Sequence, residues 1–467
     1  MNKNNNYLFW FCVFFVIIKL IAISKTSFGL YGDEAQYWLW SKDPSFGYYS
    51  KPPLLSWLIH VVTYFFGNSF FVLKSIPIFL YCLTSLLIFI FSKKLFNDFQ
   101  LSVCCALTFF LLPGVIVSSF LVSTDILLIF FWVLALIQIL NIRTNPSYSN
   151  FLVLGLVVGL TFLSKYAGIY FIISLVFLTI IEKKFRIIFL KTPLKLLLLI
   201  LSTVLVLLPN IIWNYQNRWL TLTHSADNAS LDKIKINIVG FVEFLLSQVA
   251  MVGPILFFCF LVVAYKKIKF NFNERLLISF GLPALIIVLF ESLLVRAHAN
   301  WAAVSLVSLS ILFISSIYKI KKSLIYLNNY LNLLFGFCFF ILIGTTFSFG
   351  VFDRITGIND LVRYVDKQNT NNIDNIVVSD RLLFASLNYA YKQKKINFYS
   401  PYVPGDKIGN HFQLVNALPV NFSENFILIG NKNYINYLQK NKRVRILGNK
   451  SFPFSSNNIF VYEVLIE

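Results

Sequence analysis

Long apolar runs recur along this chain and constrain its fold more than any other feature. Of the 467 residues, 58% are hydrophobic and only 13% are charged. Apolar runs of roughly 18–24 residues are long enough to cross a bilayer as helices. Eleven such segments are predicted, roughly at 7–24, 69–92, 101–119, 121–140, 151–165, 167–181, 196–213, 241–264, 276–294, 301–318 and 326–350. The chain is therefore predicted to be a polytopic α-helical membrane protein.

The distribution of basic residues predicts the orientation of these spans. Lysine and arginine outnumber the acidic residues by 40 to 20, and they gather in alternate connections such as Lys93-Lys94 and Lys183-Lys184. Cytoplasmic loops carry such an excess, which explains the charge without a nucleic-acid partner. We therefore expect the N-terminus inside the cell as an uncleaved first helix. The loops 25–60 and 214–240 and the C-terminal tail are then expected outside.

The composition changes at about residue 351, where the apolar runs end. Four short segments in the tail, 376–379, 426–430, 444–448 and 460–466, have strand character, and 381–393 and 432–440 have helical character. Alternating strands and helices indicate a small α/β domain. The predicted domains are 1–350, which crosses the membrane, and 351–467, which is extracytoplasmic. The tail is interpreted as a lid, an acceptor platform or a structural cap.

The loop at 25–60 holds the strongest candidate site. It pairs Asp33 with Glu34, and the rigid cationic segment Lys51-Pro52-Pro53 follows. Lys42 lacks such a context and reads as an ordinary loop cation. Aromatic side chains that could stack on sugar rings surround the acidic pair; they are Tyr31, Tyr37, Trp38, Tyr48 and Tyr49. Carboxylates, a fixed cation and aromatic walls together indicate a site for a carbohydrate and a phosphate.

Ionisable residues within the spans fall near their predicted outer ends rather than at random. Charges at such depth are costly and often functional. The residues concerned are Lys74, Asp125, Lys165, Glu243, Glu291, Arg296 and His298. Long cationic side chains can simply extend to the interface, which is an alternative explanation for Lys74, whereas the shorter carboxylates cannot do so readily. The pattern predicts a mixed-sign cluster at the outer membrane face.

The first loop carries two specific motifs, at 32–38 and 51–57. Weaker motifs follow at 123–125, 162–166, 209–214, 248–254 and 300–301. In their order along the chain, these motifs resemble those of the bacterial glycosyltransferase family 39/83 group, which includes lipid A aminoarabinose transferases and relatives of the protein O-mannosyltransferases. The resemblance covers roughly residues 7–320.

The resemblance implies a GT-C fold and transfer of a sugar from a polyprenyl-phosphate carrier to an acceptor outside the membrane. It places the catalytic aspartate at Asp33, with Glu34 sharing acid–base work or holding the loop, and a lipid-phosphate-binding lysine at Lys51. Supporting substrate contacts are expected from Tyr37, Trp38, Tyr49, Lys74, Asp125, Lys165 and Arg296. The expected location is a bacterial inner membrane, with a glycolipid of the lipid A or lipopolysaccharide type as acceptor.

Three alternatives stay open from the residues alone. A transporter or flippase of lipid-linked saccharides would also use a charged, aromatic cavity. A protein O-glycosyltransferase and a structural subunit of an envelope assembly are the others. No cofactor is expected, although Asp33 and Glu34 could hold a divalent metal, because lysine alone can serve a monophosphate leaving group. The chain has no glycine-rich phosphate-binding motif, so a nucleotide-sugar donor is not expected.

Overall fold

We describe a computed structural model of the chain. The structure describes residues 3–229, 235–266, 270–347, 352, 355–369, 371–430, 433–441, 444–454 and 457–466. Within these ranges, seventeen α-helices precede the tail. They are α1 (Lys3–Lys25), α2 (Gly32–Trp40), α3 (Leu54–Phe66), α4 (Phe70–Phe96), α5 (Phe99–Phe110), α6 (Pro113–Ser118), α7 (Thr124–Thr144), α8 (Tyr148–Ser164), α9 (Ile169–Ile181), α10 (Lys183–Leu190), α11 (Pro193–Gln216), α12 (Leu220–Ala229), α13 (Ile238–Val252), α14 (Pro254–Lys266), α15 (Phe272–Leu294), α16 (Ala303–Ile320) and α17 (Lys322–Gly344).

Each of the eleven predicted spans coincides with helix in the described residues, residues 348–350 of the last one lying outside them, and the chain is a multi-pass membrane protein. Within the described ranges, seven helices are individually long and apolar enough to cross a bilayer. The other four predicted spans correspond to shorter helices, and two of them are interrupted. Pro113 begins α6 after a break, and Gly253, with a φ of +92°, precedes Pro254 between α13 and α14. Proline and a left-handed glycine both interrupt a helical hydrogen-bond ladder. The count of eleven therefore stays a prediction.

Small residues allow two of these helices to pack closely. Gly155 and Gly159 lie four residues apart on α8, and both face α11. A Cβ atom at Gly155 would come within 2.4 Å of the Leu199 carbonyl oxygen, and one at Gly159 would come within 2.6 Å of the Val206 Cβ. Such spacing of small residues is a common device for helix contact in membranes. The Thr203 hydroxyl also donates to the Gly155 carbonyl at 3.0 Å.

The chain divides into two compact units. The helical unit contains residues 1–24, 51–55 and 71–344, and the mixed unit contains 25–50, 56–70 and 345–467. Both segments on either side of Lys51-Pro52-Pro53 therefore pack with the tail rather than with the spans. The predicted boundary at residue 350 lies close to the start of the tail segment at residue 345. The mixed unit also contains most of the first loop, which the predicted boundary assigned to the membrane domain.

A five-stranded sheet forms the core of the mixed unit, in the order β2-β1-β3-β5-β4. Its strands are β1 (Asn375–Val378), β2 (Asn397–Tyr399), β3 (Phe426–Gly430), β4 (Val444–Phe454) and β5 (Asn457–Ile466). The first three are parallel, and β5 runs antiparallel to β3 and β4. Helices α18 (Ile358–Gln368), α19 (Arg381–Ala390), α20 (His411–Val415) and α21 (Asn433–Asn441) complete it. The predicted α/β domain is confirmed; β2, α18 and α20 were not predicted.

Candidate active site

The acidic pair of the first loop begins helix α2. Glu34 is buried, with 3% of its surface exposed, and its Oε2 accepts a hydrogen bond from the Tyr31 backbone N–H at 2.7 Å. A carboxylate at this position satisfies one of the donors that a helix N-terminus leaves unpaired. Asp33, its neighbour, is only partly buried. The two carboxylates therefore differ in role: Glu34 holds the start of the helix, and Asp33 is the more accessible of the two.

Helix α19 of the C-terminal domain positions α2 within the mixed unit. A Cβ atom at Gly32 would lie 2.6 Å from the Leu382 Cβ, so the two helices approach most closely at a glycine. The Arg381 guanidinium donates to the Gln36 side-chain oxygen at 3.1 Å. The tail therefore positions the helix that carries Asp33. This contact gives the tail a role in arranging the candidate site.

The aromatic residues of the loop are mostly committed to packing. The ring of Tyr48 stacks on Trp40 at 4.5 Å, and both contact the edge of His411 at 5.3 Å. The Tyr49 hydroxyl donates to the Ile408 carbonyl at 3.1 Å. Tyr37 is buried as well, with 5% of its surface exposed. Their assignment as sugar-stacking residues stays a prediction.

Burial also changes the acidity of two of these packed groups. It raises the pKa of the Tyr48 phenol to about 12 and lowers the pKa of His411 to about 4. Both shifts favour the neutral form, because charging a group away from water is costly. The stacked cluster is therefore a neutral structural element at physiological pH.

In the helical unit, two predicted site residues form a compact polar cluster with Asn300. Lys165 Nζ lies 2.6 Å from Asp125 Oδ1, and the Asn300 amide donates to Asp125 Oδ2 at 2.7 Å. Asp125 sits in the first turn of α7, and Lys165 ends α8. Both oxygens of one carboxylate are thereby engaged. The sequence placed Asp125 and Lys165 at the same membrane face, and the structure joins them directly.

Neighbouring residues hold this cluster in place. The Tyr166 hydroxyl donates to Asn210 Oδ1 at 2.9 Å, and the Asn214 amide donates to the Tyr166 hydroxyl at 3.2 Å. The Gln248 amide donates to the Ala299 carbonyl at 3.0 Å, beside Asn300. Segments that matched the family only weakly in sequence therefore converge in space.

His298 and Arg296 follow helix α15 near this cluster. The pKa of His298 is lowered by burial and then by the charges of Arg296 and Lys165, which favours its neutral form. Arg296 is exposed, so its guanidinium is accessible.

The other candidates lie in different environments. Lys74 is fully buried in α4, where its Nζ donates to the Phe120 carbonyl at 3.0 Å and lies 3.9 Å from the ring of that residue. It therefore does not extend to an interface. Glu243 is exposed on α13 and Glu291 is half-buried on α15. Lys51 is half-buried in the short segment that packs with the spans.

Sequence reasoning missed Lys19, which is a fully buried lysine in α1. Its Nζ donates to the Ser119 hydroxyl at 2.9 Å and lies 4.5 Å from the rings of Phe15 and Phe110. A lysine inside an apolar run was the available signal. In the part of the chain that the structure describes, no group of three or more His, Cys, Asp or Glu could hold a metal ion. The dependence on a metal stays a prediction.

The chain is similar to known proteins in sequence and in fold. Residues 50–213 match the family model described as dolichyl-phosphate-mannose-protein mannosyltransferase. The chain is 29% identical over 311 residues to lipid A galacturonosyltransferase RgtD of Rhizobium johnstonii, across 65% of this chain and 64% of that protein. The match thus spans just under two thirds of that relative's length.

Solved structures share the fold across almost the whole chain. ArnT from Cupriavidus metallidurans in the apo state superposes with a TM-score of 0.66, at 12% identity and 98% coverage of both chains. The same protein bound to undecaprenyl phosphate gives a TM-score of 0.68, again at 12% identity and 98% coverage of both chains. The membrane fold expected from the first-loop resemblance is confirmed: this chain has the fold of ArnT over nearly its whole length.

Proposed function

We propose that this protein is an integral membrane glycosyltransferase that moves a sugar from a polyprenyl-phosphate carrier to a glycolipid of the lipid A or lipopolysaccharide type. The observation that carries this proposal is the 29% identity over 311 residues to a lipid A galacturonosyltransferase. The ArnT fold, found in one structure with undecaprenyl phosphate bound, supports a lipid-linked donor. The proposed location is a bacterial inner membrane, with the site on the extracytoplasmic side.

The proposed reaction is a single displacement with inversion at the anomeric carbon. An acceptor oxygen forms a bond to that carbon while the bond to the carrier phosphate breaks, and the electron pair leaves with the phosphate oxygen. Asp33 accepts the proton of an acceptor hydroxyl as general base. An acceptor that is already ionised needs no such transfer, and Asp33 then orients it.

Cations are required where negative charge grows on the leaving phosphate. Preplaced charges stabilise such a transition state without reorganisation, and Lys51 is the first choice for this role. Arg296 is proposed to hold polar parts of the substrates, and the Asp125–Lys165 pair is proposed to shape the site around them. Lys74 supports the connection before α7 through Phe120, so its proposed contribution is indirect.

A transfer assay with two classes of donor tests the proposal. The purified protein is offered a polyprenyl-monophosphate sugar and, separately, UDP-, GDP- and CMP-sugars, each with a glycolipid acceptor. We expect product only from the lipid-linked donor. Robust transfer from a nucleotide sugar without any lipid-linked intermediate would reject the assignment. Movement of an intact lipid-linked sugar across vesicles without transfer would favour a flippase.

A further inference from the structure

The mixed unit contains a basic cleft that the proposed reaction does not use. Its volume is about 710 Å³, and its lining includes Trp38, Lys42, Asn68, Asn388 and Lys392. This volume lies within the range of roughly 300–1,000 Å³ that is common for small-molecule sites. Its amide side chains and lysines together suit a polar ligand with an anionic group.

Asn68 organises the charged wall of this cleft. Its side-chain oxygen accepts hydrogen bonds from Lys42 Nζ and, at 2.9 Å, from the indole N–H of Trp38. Its backbone oxygen accepts from Lys392 Nζ at 2.9 Å and from the Tyr389 hydroxyl at 3.2 Å. Two lysines from distant parts of the chain are thereby held on one residue.

The groups that contact these two lysines are neutral, so they do not balance the lysine charges. Asn68 contributes amide oxygens, and the rings of Trp38 and Tyr389 lie 4.9 Å and 3.7 Å from the nearer ammonium. The pKa of Lys42 is lowered by burial, and that of Lys392 by burial and then by the charge of Lys42. Each ammonium has three N–H donors, so both can donate to a further acceptor. An anion between them would relieve their repulsion.

We propose that this cleft binds a phosphorylated saccharide, the headgroup of the acceptor glycolipid, with Lys42 and Lys392 on a phosphate group and Asn68 and Asn388 beside a sugar ring. The identity of this ligand as the acceptor rests on the proposed function. Trp38 lies five residues after Asp33 on α2, about 7.5 Å along the axis and roughly 140° around it. The cleft and Asp33 therefore share one short helix of the mixed unit.

Direct binding to the full-length protein in neutral detergent tests this inference. The probes are a bisphosphorylated glucosamine disaccharide without acyl chains, its dephosphorylated form and short-chain phosphatidylglycerol. We expect the phosphorylated disaccharide to bind about tenfold more tightly than the neutral one. Equal binding of the two disaccharides would overturn the inference. Tighter binding of phosphatidylglycerol would assign the cleft to a membrane phospholipid and would also overturn it.

Variants locate the binding. Replacing both lysines (Lys42→Gln with Lys392→Gln) is expected to weaken binding of the phosphorylated disaccharide about tenfold. Lys395→Gln, an exposed lysine on the same segment, should leave it unchanged. The charge-preserving pair (Lys42→Arg with Lys392→Arg) should retain binding. If the double glutamine variant does not fold, Lys392→Gln alone should weaken binding about threefold. Unchanged binding in the folded glutamine variant contradicts the inference.

The two proposals can fail separately, because this binding needs no donor. A preparation that binds the disaccharide through both lysines but transfers no sugar rejects the proposed function and keeps the phosphosaccharide cleft. A preparation that transfers sugar but binds the disaccharide independently of both lysines rejects the cleft alone.

Discussion

Two polar regions of this protein differ in whether their charged side chains have partners of opposite charge. In the helical unit, Asp125 receives a cation on one oxygen and an amide donor on the other. In the mixed unit, Lys42 and Lys392 donate to the neutral oxygens of Asn68. In the first region the carboxylate is balanced by a lysine, whereas in the second region the two lysine charges are not balanced by their neutral partners.

The difference separates groups that shape a site from groups that meet a ligand. A matched buried pair is strongly destabilised when one member is removed, because the other is left uncompensated. An accessible charge without an opposite charge beside it gains the most electrostatic stabilisation when a ligand of opposite charge binds. By the same reasoning Glu34, which is buried at a helix start, shapes its region, whereas Asp33 beside it is the better candidate for contact with substrate.

The largest effect is expected from breaking the matched cluster. Asp125→Ala and Lys165→Ala should each reduce the free energy of unfolding by about 3 kcal/mol, because each leaves a buried charge unpaired. Thermal and denaturant unfolding in detergent measures this. The double variant should cost clearly less than the sum of the single changes. Additive losses would show that the pair is not coupled.

Asp33 and Glu34 offer the next contrast. Asp33→Asn should lower turnover on the order of 100-fold or more at normal protein level and donor binding, because it removes a base while keeping the shape. Glu34→Gln should keep turnover within about threefold, because glutamine can also cap a helix start. Transfer rates of the two purified variants are compared. Near-normal transfer by Asp33→Asn would remove Asp33 from the mechanism.

The stacked cluster around His411 should respond to acid. Its pKa of about 4 in the folded protein lies below the ordinary value of about 6.5. The unfolded state therefore binds more protons, and the contribution of His411 is complete above about pH 6.5 and falls as the pH drops towards 4. Between pH 7 and 5 we expect a loss on the order of 1–2 kcal/mol.

The control for this acid response is His411→Phe, which keeps an aromatic ring beside Trp40 and Tyr48. Unfolding of wild type and variant is measured at pH 7 and pH 5. The variant should lose less stability across this interval. Parallel losses in both proteins would assign the acid response to other groups.

The smallest effect is expected from a single cation on the leaving phosphate. Lys51→Ala should reduce kcat/KM for the lipid-linked donor about tenfold, because one charge-assisted contact is lost. Lys25→Ala is the matched control, since Lys25 is exposed and lies in the same region of the sequence. Lys42 is unsuitable as a control because it lines the basic cleft. Equal, mild effects of Lys51→Ala and Lys25→Ala would reduce Lys51 to a solvated charge.

Hydropathy and short-range pattern predicted much of the fold. Each of the eleven apolar segments coincides with one or two helices among the described residues, and the β3 range 426–430 was predicted to the residue. Interruptions at Pro113 and Gly253-Pro254 were harder to predict, because an apolar run looks the same with or without a break. The short strand β2 and helix α20 gave weak signals, since three to five residues carry little periodicity.

The candidate site was only partly accessible to sequence reasoning. The motif around Asp33 was visible because its carboxylates, aromatic residues and lysine are close in sequence. The basic cleft was not visible, because Lys42 and Lys392 are 350 residues apart and meet only through Asn68. Lys42 consequently read as an ordinary loop cation.

The sequence by itself determined the membrane class, the α/β character of the tail and the candidate acidic pair, because these depend on composition and on neighbours along the chain. Only the tertiary structure decided which charges are matched. It paired Asp125 with Lys165, turned Glu34 inward to the start of α2 and brought two lysines to Asn68. The physical reason is that the energy of a charge depends on its burial and its partners in space, and distant segments supply both.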